Sequence, residues 1–596
     1  MSTFNRCRPT PLRIAVAVPL LCLIGILCLP SGAVAQPAAV ATFPSPGSHV
    51  VSPRAQIAFR GIPASQLGVI LVDGSSSGAH TGVIAPDSDG QGASFIPAKP
   101  FAAGETVGVR TGLNILGGLG GSFQFTVANP AGGLPPIHWP AAPRVAGDVW
   151  RYHSRHDLAP PAVAVTKRGR TAQGDIFLAP QWGPVQDGVE ILDSGGGLVW
   201  FERLHGDDSA ADFRVQSYRG KPVLTWWQGV VTAGVGVGVD MVYNNAYQPI
   251  AAIHAANGLS ADLHEFEITP QNTALITAYY PVFADASSVH GSKQQIVLDS
   301  VVQEIDIPTG LVLFQWDSLD HVPVNATYTA LPARRTRNPF DYFHVNSVEP
   351  DRDGNVVISG RNTFAAYKVD HRTAGTIWTL GGRSSNFKMG PGTSFAFQHD
   401  VRVRSINDWF VTIFDDGAGP PTVHSQSRAV KLFLDLKRMT ATSVAQHEHS
   451  PALLASFEGN YQQLPGGDDF IGWGSRPYLS EYNSRGQLVF DAHFVSANAD
   501  YRAYRIPWSA TPASPPAIAA STSGSKTSVY VSWNGATGVA SWRVLGGSSS
   551  SSLRQVATSG RRGFETAVTI SAQQYVQVQA LDSAGHVLGS SPTIKG

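Results

Sequence analysis

Three histidines and one arginine carry the chemistry this sequence offers. They sit in Leu263-His264-Glu265-Phe266-Glu267, Phe343-His344-Val345-Asn346-Ser347, Ser359-Gly360-Arg361 and Phe397-Gln398-His399-Asp400. Imidazole titrates at about 6.5 when unperturbed, so it can be neutral near pH 7. A neutral ring nitrogen acts as nucleophile or base, and a protonated ring acts as acid. Guanidinium stays charged and presents a planar fork of donors that fits oxyanions. Together these groups suit the transfer of an anionic group between oxygen atoms.

The four residues are far apart in the chain, so the fold must gather them. Each histidine lies near the start of a strand-like run: Phe266-Glu267-Ile268, Ser347-Val348-Glu349 and Val401-Arg402-Val403. Arg361 comes 17 residues after His344, beyond the turn Asp351-Arg352-Asp353-Gly354-Asn355. That separation suits adjacent strands of one hairpin, with both residues near the same end. A lone strand histidine is more often structural than catalytic; three in matched phase, beside a hairpin-paired arginine, weigh against that reading.

A recurring phrase sets the phase. A strand ends in Asp or Asn, a turn follows, and a second strand brings aromatic or apolar residues. It stands at Ile191-Leu192-Asp193 before Leu198-Val199-Trp200, at Ile305-Asp306 before Phe314-Gln315-Trp316, and at Lys368-Val369-Asp370 before Thr376-Ile377-Trp378. Looser copies are Val242-Tyr243-Asn244, Leu434-Asp435-Leu436 and Glu481-Tyr482-Asn483 before Leu488-Val489-Phe490. Copies recur every 50 to 65 residues, roughly the length of a propeller blade. A unit that small cannot bury both faces alone, so units stack radially and close into a ring. The expectation is an all-β chain with a six-bladed β-propeller over residues 144–510, whose inner strands meet at a central channel. Seven blades, or a non-repetitive assembly of β-sandwiches, are the alternatives.

Two small β-sandwich modules are expected to flank it. Residues 37–140 alternate in segments such as Gln56-Ile57-Ala58-Phe59 and Ser122-Phe123-Gln124-Phe125-Thr126-Val127, and the proline-rich stretch 130–143 reads as a linker. Residues 511–596 alternate in Val529-Tyr530-Val531-Ser532-Trp533 and Tyr575-Val576-Gln577-Val578-Gln579 and resemble a fibronectin type III module.

Bulk properties agree. A chain of 596 residues is long enough for two to four domains. Only 14% of it is charged, while 61 Gly and 41 Pro favour short strands and turns over long helices. The 43 basic and 43 acidic residues balance, which points away from a nucleic-acid partner. Arg6, Arg8 and Arg13, the apolar run Ile14 to Leu29, and Ala33-Val34-Ala35 before Gln36 read as a cleaved secretion signal over residues 1–35. The product is expected outside the cytoplasm with no membrane span after signal removal. Cys7, Cys22 and Cys28 all fall inside that signal, so a mature chain has no thiol for a disulfide, a zinc–thiolate site or a cysteine nucleophile.

Segment 341–402, from Asp-Tyr-Phe-His-Val-Asn-Ser through Ser-Gly-Arg and Trp-Thr-Leu-Gly-Gly to Phe-Gln-His-Asp-Val-Arg, resembles the arylsulfotransferase family in its PAPS-independent propeller form. The likeness is specific over residues 255–420 and thinner elsewhere. It implies transfer of a sulfuryl group from an aryl sulfate to a phenol, through a transiently sulfated histidine, with no cofactor. By motif, His399 matches the nucleophile, His344 the general acid/base and Arg361 the sulfuryl-binding arginine. His264 matches the further histidine that holds the sulfuryl oxygens, and Asn346 is a candidate substrate-binding donor. The partners implied are a small-molecule aryl sulfate and a phenolic acceptor; the end modules could add cell-surface or glycan contact. Periplasmic members commonly carry a disulfide, which the mature chain lacks. A non-catalytic propeller binding a glycan or protein, or a hydrolase using the same site, are the rival readings.

Other motifs are weaker. Asp351 to Asn355 and Asp87-Ser88-Asp89-Gly90 resemble pieces of a calcium loop but lack its closing Glu, and read as hairpin turns. Gly74-Ser75-Ser76-Ser77-Gly78 has the nucleophile-elbow spacing without the strand-to-helix setting. The Gly/Val alternation from Gly234 to Val239 has no βαβ unit around it. Asp415-Asp416-Gly417 reads as a turn that could border the pocket, and His447 and His449 as a solvated face that could ligate a metal.

Overall fold

The structure is a computed structural model that describes residues 39–134, 140–333, 338–403 and 409–596; the signal-like segment 1–35 and its cysteines lie outside the described residues. Strands dominate, and the described helical pieces are single turns such as Ser318–His321.

Among the described residues, six sets built on four antiparallel strands follow one another from residue 175 to residue 506; the fifth adds Lys388–Met389 in a parallel pairing, and the sixth adds Val163–Arg168. Five begin with an inner strand: β1 (Ser209–Tyr218), β2 (Ala261–Ile268), β3 (Val345–Pro350), β4 (His399–Val403) and β5 (Asn460–Gln463). Each inner strand pairs antiparallel with the strand that follows it in sequence, and four of the five pairs shift register within the inner strand, at Ala211/Arg214, Ala261/Phe266, Val345/Ser347 and His399/Arg402. The remaining set comes first in sequence but takes its inner strand, β6 (Tyr504–Ile506), from the far end of the region, pairing it with Asp175–Leu178. The reciprocal exchange occurs at the sixth set, where Val163–Arg168 pairs with Leu488–Phe494. The sets around β1 and β2 are joined by one pair, Gly238 with Ala261, into a single eight-stranded sheet.

The recurring phrase is the turn between the third and fourth strands of each set. Its Asp or Asn recurs for a local reason, because the side-chain oxygen accepts from main-chain N–H groups inside the turn. Asp193 accepts from Gly195 and Gly197, Asn244 from Ala246 and Gln248, Asp370 from Arg372 and Thr373, Asp435 from Lys437 and Arg438, and Asn483 from Arg485 and Gln487. Asp306 differs: it accepts from Ser88 and so ties the turn to the N-terminal region.

Large apolar side chains fill the space between neighbouring sets. Trp200, Phe213 and Trp226 come from two successive sets and pack in one core, with ring centroids between 5.7 and 6.5 Å apart. Truncating such a buried tryptophan to alanine costs about 3–5 kcal/mol. The Gly/Val alternation has the same cause. A Cβ at Gly236 or Gly238 would lie under 3 Å from the Trp227 ring, so glycine is what lets that indole pack against the strand.

Before this region, two four-stranded sheets within residues 41–126 share one apolar core that includes Ile57, Phe59, Phe95, Val107, Phe123 and Phe125. After it, a three-stranded and a five-stranded sheet within residues 517–595 share another around Val529, Trp542 and Val578. Both regions are braced against the six sets. Gln56 donates to the Val312 carbonyl, Glu565 accepts from Ser154, and Asn534 pairs its amide with both main-chain groups of Phe201. No described helix is long and apolar enough to cross a membrane.

Candidate active site

His264, His344, His399 and Arg361 line one cavity of about 790 Å³. Inner strands β2, β3 and β4 deliver the imidazoles: His264 lies within β2, His344 directly precedes β3, and His399 is the first residue of β4. His344 has a φ of 57°, so its backbone is left-handed at the strand entrance. Such a conformation costs free energy for a bulky residue and concentrates at functional sites. Arg361 closes the first hairpin of the β3 set, where its N–H donates to the His344 carbonyl at 3.0 Å.

Each imidazole is held the same way, with Nδ1 on a carboxylate. His264 meets Asp262 at 2.6 Å, His399 meets Asp416 at 2.7 Å, and His344 meets Asp341. A carboxylate at Nδ1 fixes the tautomer and turns Nε2 toward the reacting partner. The His264 and His344 rings lie edge to face, 4.7 Å between centroids. Beneath them the Tyr501 ring contacts both His264 and His399, its hydroxyl donating to the carbonyls of His264 and Asn346.

Electrostatics favour a neutral nucleophile. Burial pushes the His399 imidazole well below its ordinary pKa, and nearby Arg361, His344 and His264 push it further. Burial also lowers His344, against the opposing pull of Asp341. Asp416 is driven up by burial while Arg361 draws it down. The main chain decides the proton's place in this pair: the Glu458 N–H donates to His399 Nε2 at 3.2 Å. Nε2 therefore carries the lone pair, and Nδ1 donates to Asp416 Oδ2.

Arg361 is anchored from two sides. One terminal nitrogen donates to Asn362 Oδ1 and the other to the Ser456 carbonyl, both at 2.8 Å. Its face stacks over the Phe397 ring at 4.8 Å, while the buried Nε has no protein partner. Around the mouth, Trp182 and Phe457 stand edge to face, with Val231, Pro420 and Arg476 beside them. An apolar slot rimmed by one cation fits a ring carrying an anionic substituent.

Several sequence expectations need correction. Asn346 does not line the cavity; it is fully buried, and its amide donates to the Gln398 carbonyl at 2.7 Å, stitching β3 to β4. Asp415-Asp416-Gly417 is more than a turn, since Asp416 holds the nucleophile-like histidine. Next to His399, one Asp400 oxygen accepts from Arg402 and the other from the Tyr461 N–H. His447 and His449 are buried rather than solvated, against Asp469 and Asp491 respectively, and no metal-holding cluster occurs among the described residues. The loop Gly74–Gly78 joins two strands, and the main-chain N–H groups of Ser76 and Ser77 donate to Glu105.

Sequence reading missed Asp262, Asp341 and Glu458, and the role of Asp416 as partner of His399. Two signals were available. Asp262 precedes His264 by two, and residues i and i+2 of a strand share a face. Asp416 follows His399 by 17, the same offset that paired Arg361 with His344.

Residues 214–495 match the model of the arylsulfotransferase (ASST) family. No curated protein sequence matches the chain. Among solved structures, a Bacteroides caccae protein of unknown function aligns at 12% identity with a TM-score of 0.34, over 56% of this chain and 99% of its own. Pseudomonas aeruginosa periplasmic gluconolactonase PpgL aligns at 11% identity and 0.32, over 56% and 100%. Inactivated Staphylococcus aureus virginiamycin B lyase with quinupristin aligns at 10% and 0.26, over 62% and 95%.

Proposed function

We propose that the protein is an extracytoplasmic aryl-sulfate sulfotransferase that works through a sulfohistidine, without PAPS. The six strand sets are read as the blades of one propeller, and the two flanking pairs of sheets as β-sandwiches, the second of them fibronectin type III-like. A single observation carries the reading: three carboxylate-oriented imidazoles and Arg361 share one cavity.

The aryl group of the donor enters between Trp182 and Phe457, and Arg361 takes sulfuryl oxygens on its free Nε. His399 Nε2 attacks sulfur, the S–O(aryl) bond breaks, and the electron pair leaves with the phenolic oxygen. His344 gives that oxygen its proton. The free site favours neutral imidazoles; the bound sulfate anion beside His344, with Asp341 on its Nδ1, raises the proton affinity of His344, so His344 takes up a proton from solvent as the substrate binds. His344 then takes the proton of the incoming phenol, whose oxygen attacks sulfur and breaks the N–S bond. Charge stays on the peripheral oxygens throughout, so fixed donors supply most of the stabilisation. His264 adds a donor from the β2 side.

Transfer is distinguished from hydrolysis by the acceptor. Incubation with a chromogenic aryl sulfate should release phenol at a rate that rises with added phenol. Release independent of the acceptor indicates hydrolysis, and no release from a panel of donors indicates a binding protein.

A further inference from the structure

The sixth strand set repeats the geometry of His344 with a different side chain. Phe343-His344-Val345-Asn346 and Phe457-Glu458-Gly459-Asn460 occupy equivalent entrances to β3 and β5. In each, the second residue is left-handed, with φ of 57° and 67°. In each, the asparagine amide donates to a main-chain carbonyl of the next inner segment, Asn346 to Gln398 and Asn460 to Ala503. Glu458 thus stands where His344 stands, on the other side of the set that carries His399. Both side chains line the same cavity.

Glu458 is 7% exposed, and its buried Oε2 has no hydrogen-bond partner. An unsatisfied buried carboxyl oxygen is costly and calls for a ligand or a function. Its N–H already touches the nitrogen that attacks sulfur. The groups around it are His399 and Asp416 from the β4 set, Asp500 near β6, and Arg361, Arg476, His264 and His344 around the cavity. Burial, reinforced by Asp500, pushes the carboxyl up to about 8, so it is a proton-bearing donor at neutral pH.

Resting on the sulfohistidine reading, we propose that Glu458 is a further catalytic residue, a carboxylic acid that donates a hydrogen bond to a non-bridging oxygen of the sulfuryl group on His399. Its main-chain N–H turns to a second oxygen once Nε2 bonds to sulfur. Glu458 keeps its proton, so the transfer chemistry balances without it.

The test compares wild type, E458Q and E458A from pH 6 to 9.5, reading aryl-sulfate turnover and, separately, binding of inorganic sulfate by calorimetry. Wild-type kcat should fall as pH rises through about 8, where the donor ionises. E458Q keeps a donor and should lose that alkaline fall; E458A should drop kcat by about 100-fold, in the range for one lost transition-state donor, with an unchanged circular-dichroism spectrum. Sulfate affinity should weaken from pH 7 to 9 in wild type and much less in E458Q. The proposal is overturned if E458Q keeps the wild-type pH profile in both readouts, or if E458A turns over within twofold of wild type. The underlying reading fails differently: mass spectrometry finds no sulfated His399 peptide in wild type under turnover. An inactive wild type leaves the sulfate-binding comparison to decide for Glu458 alone.

Discussion

Two clusters of buried charge sit one residue apart on the same inner strands, and they are treated in opposite ways. His264 faces the cavity; Glu265, next to it, faces the interior between the inner strands. There Glu265 accepts from Arg214 of β1, Arg402 of β4 and Arg502 beside β6, with contacts from 2.7 to 3.3 Å. Arg402 and Arg502 also pair with Asp400 and Asp212. This cluster is a closed account of charge: burial alone would raise the Glu265 carboxyl, but the three arginines bring it down below the usual range. In the cavity the balance is left open. Arg361 Nε and Glu458 Oε2 lack protein partners, and His399 is held neutral. Both clusters hold buried atoms without a hydrogen-bond partner, Arg214 Nε and Arg502 Nε in the first and Arg361 Nε and Glu458 Oε2 in the second; they differ in that every arginine of the first is ion-paired to a carboxylate.

Substitutions can break this contrast. The largest effect belongs to His399→Ala, which should cut turnover by about 10⁴-fold or more, as loss of a nucleophile does, while thermal unfolding stays close to wild type. Turnover within tenfold of wild type would misassign the nucleophile. Asp416→Asn should cost about 10³- to 10⁴-fold in kcat by favouring the wrong imidazole tautomer, again with little change in melting temperature. Glu265→Gln should do the reverse. Leaving three buried arginines short of their shared carboxylate should destabilise the fold by about 3–5 kcal/mol, measured by denaturant unfolding; a change under about 1 kcal/mol would show the cluster to be dispensable.

The smallest effect separates the clusters by pH. Glu458 binds its proton more tightly when folded, so its contribution to stability is full below its ordinary value of 4.5 and is lost as pH rises through about 8. Glu265 is shifted down, so its contribution is present above 4.5 and is lost as pH falls. E458Q should therefore flatten the decline of melting temperature between pH 5 and 8, and E265Q should remove part of the acid-side loss. Parallel curves for the two variants would erase the distinction.

Much of this was legible because its causes are local. The Asp or Asn at five of the six turns accepts main-chain hydrogen bonds from within four residues, so the phrase survives in the sequence. The histidines keep phase with it because each enters an inner strand. What stayed hidden depends on partners distant in the chain. Asn346 reads like a substrate donor because an amide beside a reactive histidine is plausible; only the position of Gln398, from the neighbouring set, shows that it is already spent. Glu458 has no reactive signature in isolation. It stands out once the entrances to β3 and β5 are superposed, and their likeness lies in backbone conformation more than in sequence.

The exchange of strands between the two ends of the six-set region has a temporal consequence. Residues 163–168 finish the last set, and residues 504–506 supply the innermost row of the first. A chain emerging N-terminus first leaves the Asp175–Leu178 edge unmatched until more than 300 further residues have appeared. The first set is thus completed only after the other five have been made, through noncovalent strand pairing in a protein with no thiols beyond residue 28. A chain cut short before residue 504 lacks that pairing and exposes a strand edge to other molecules.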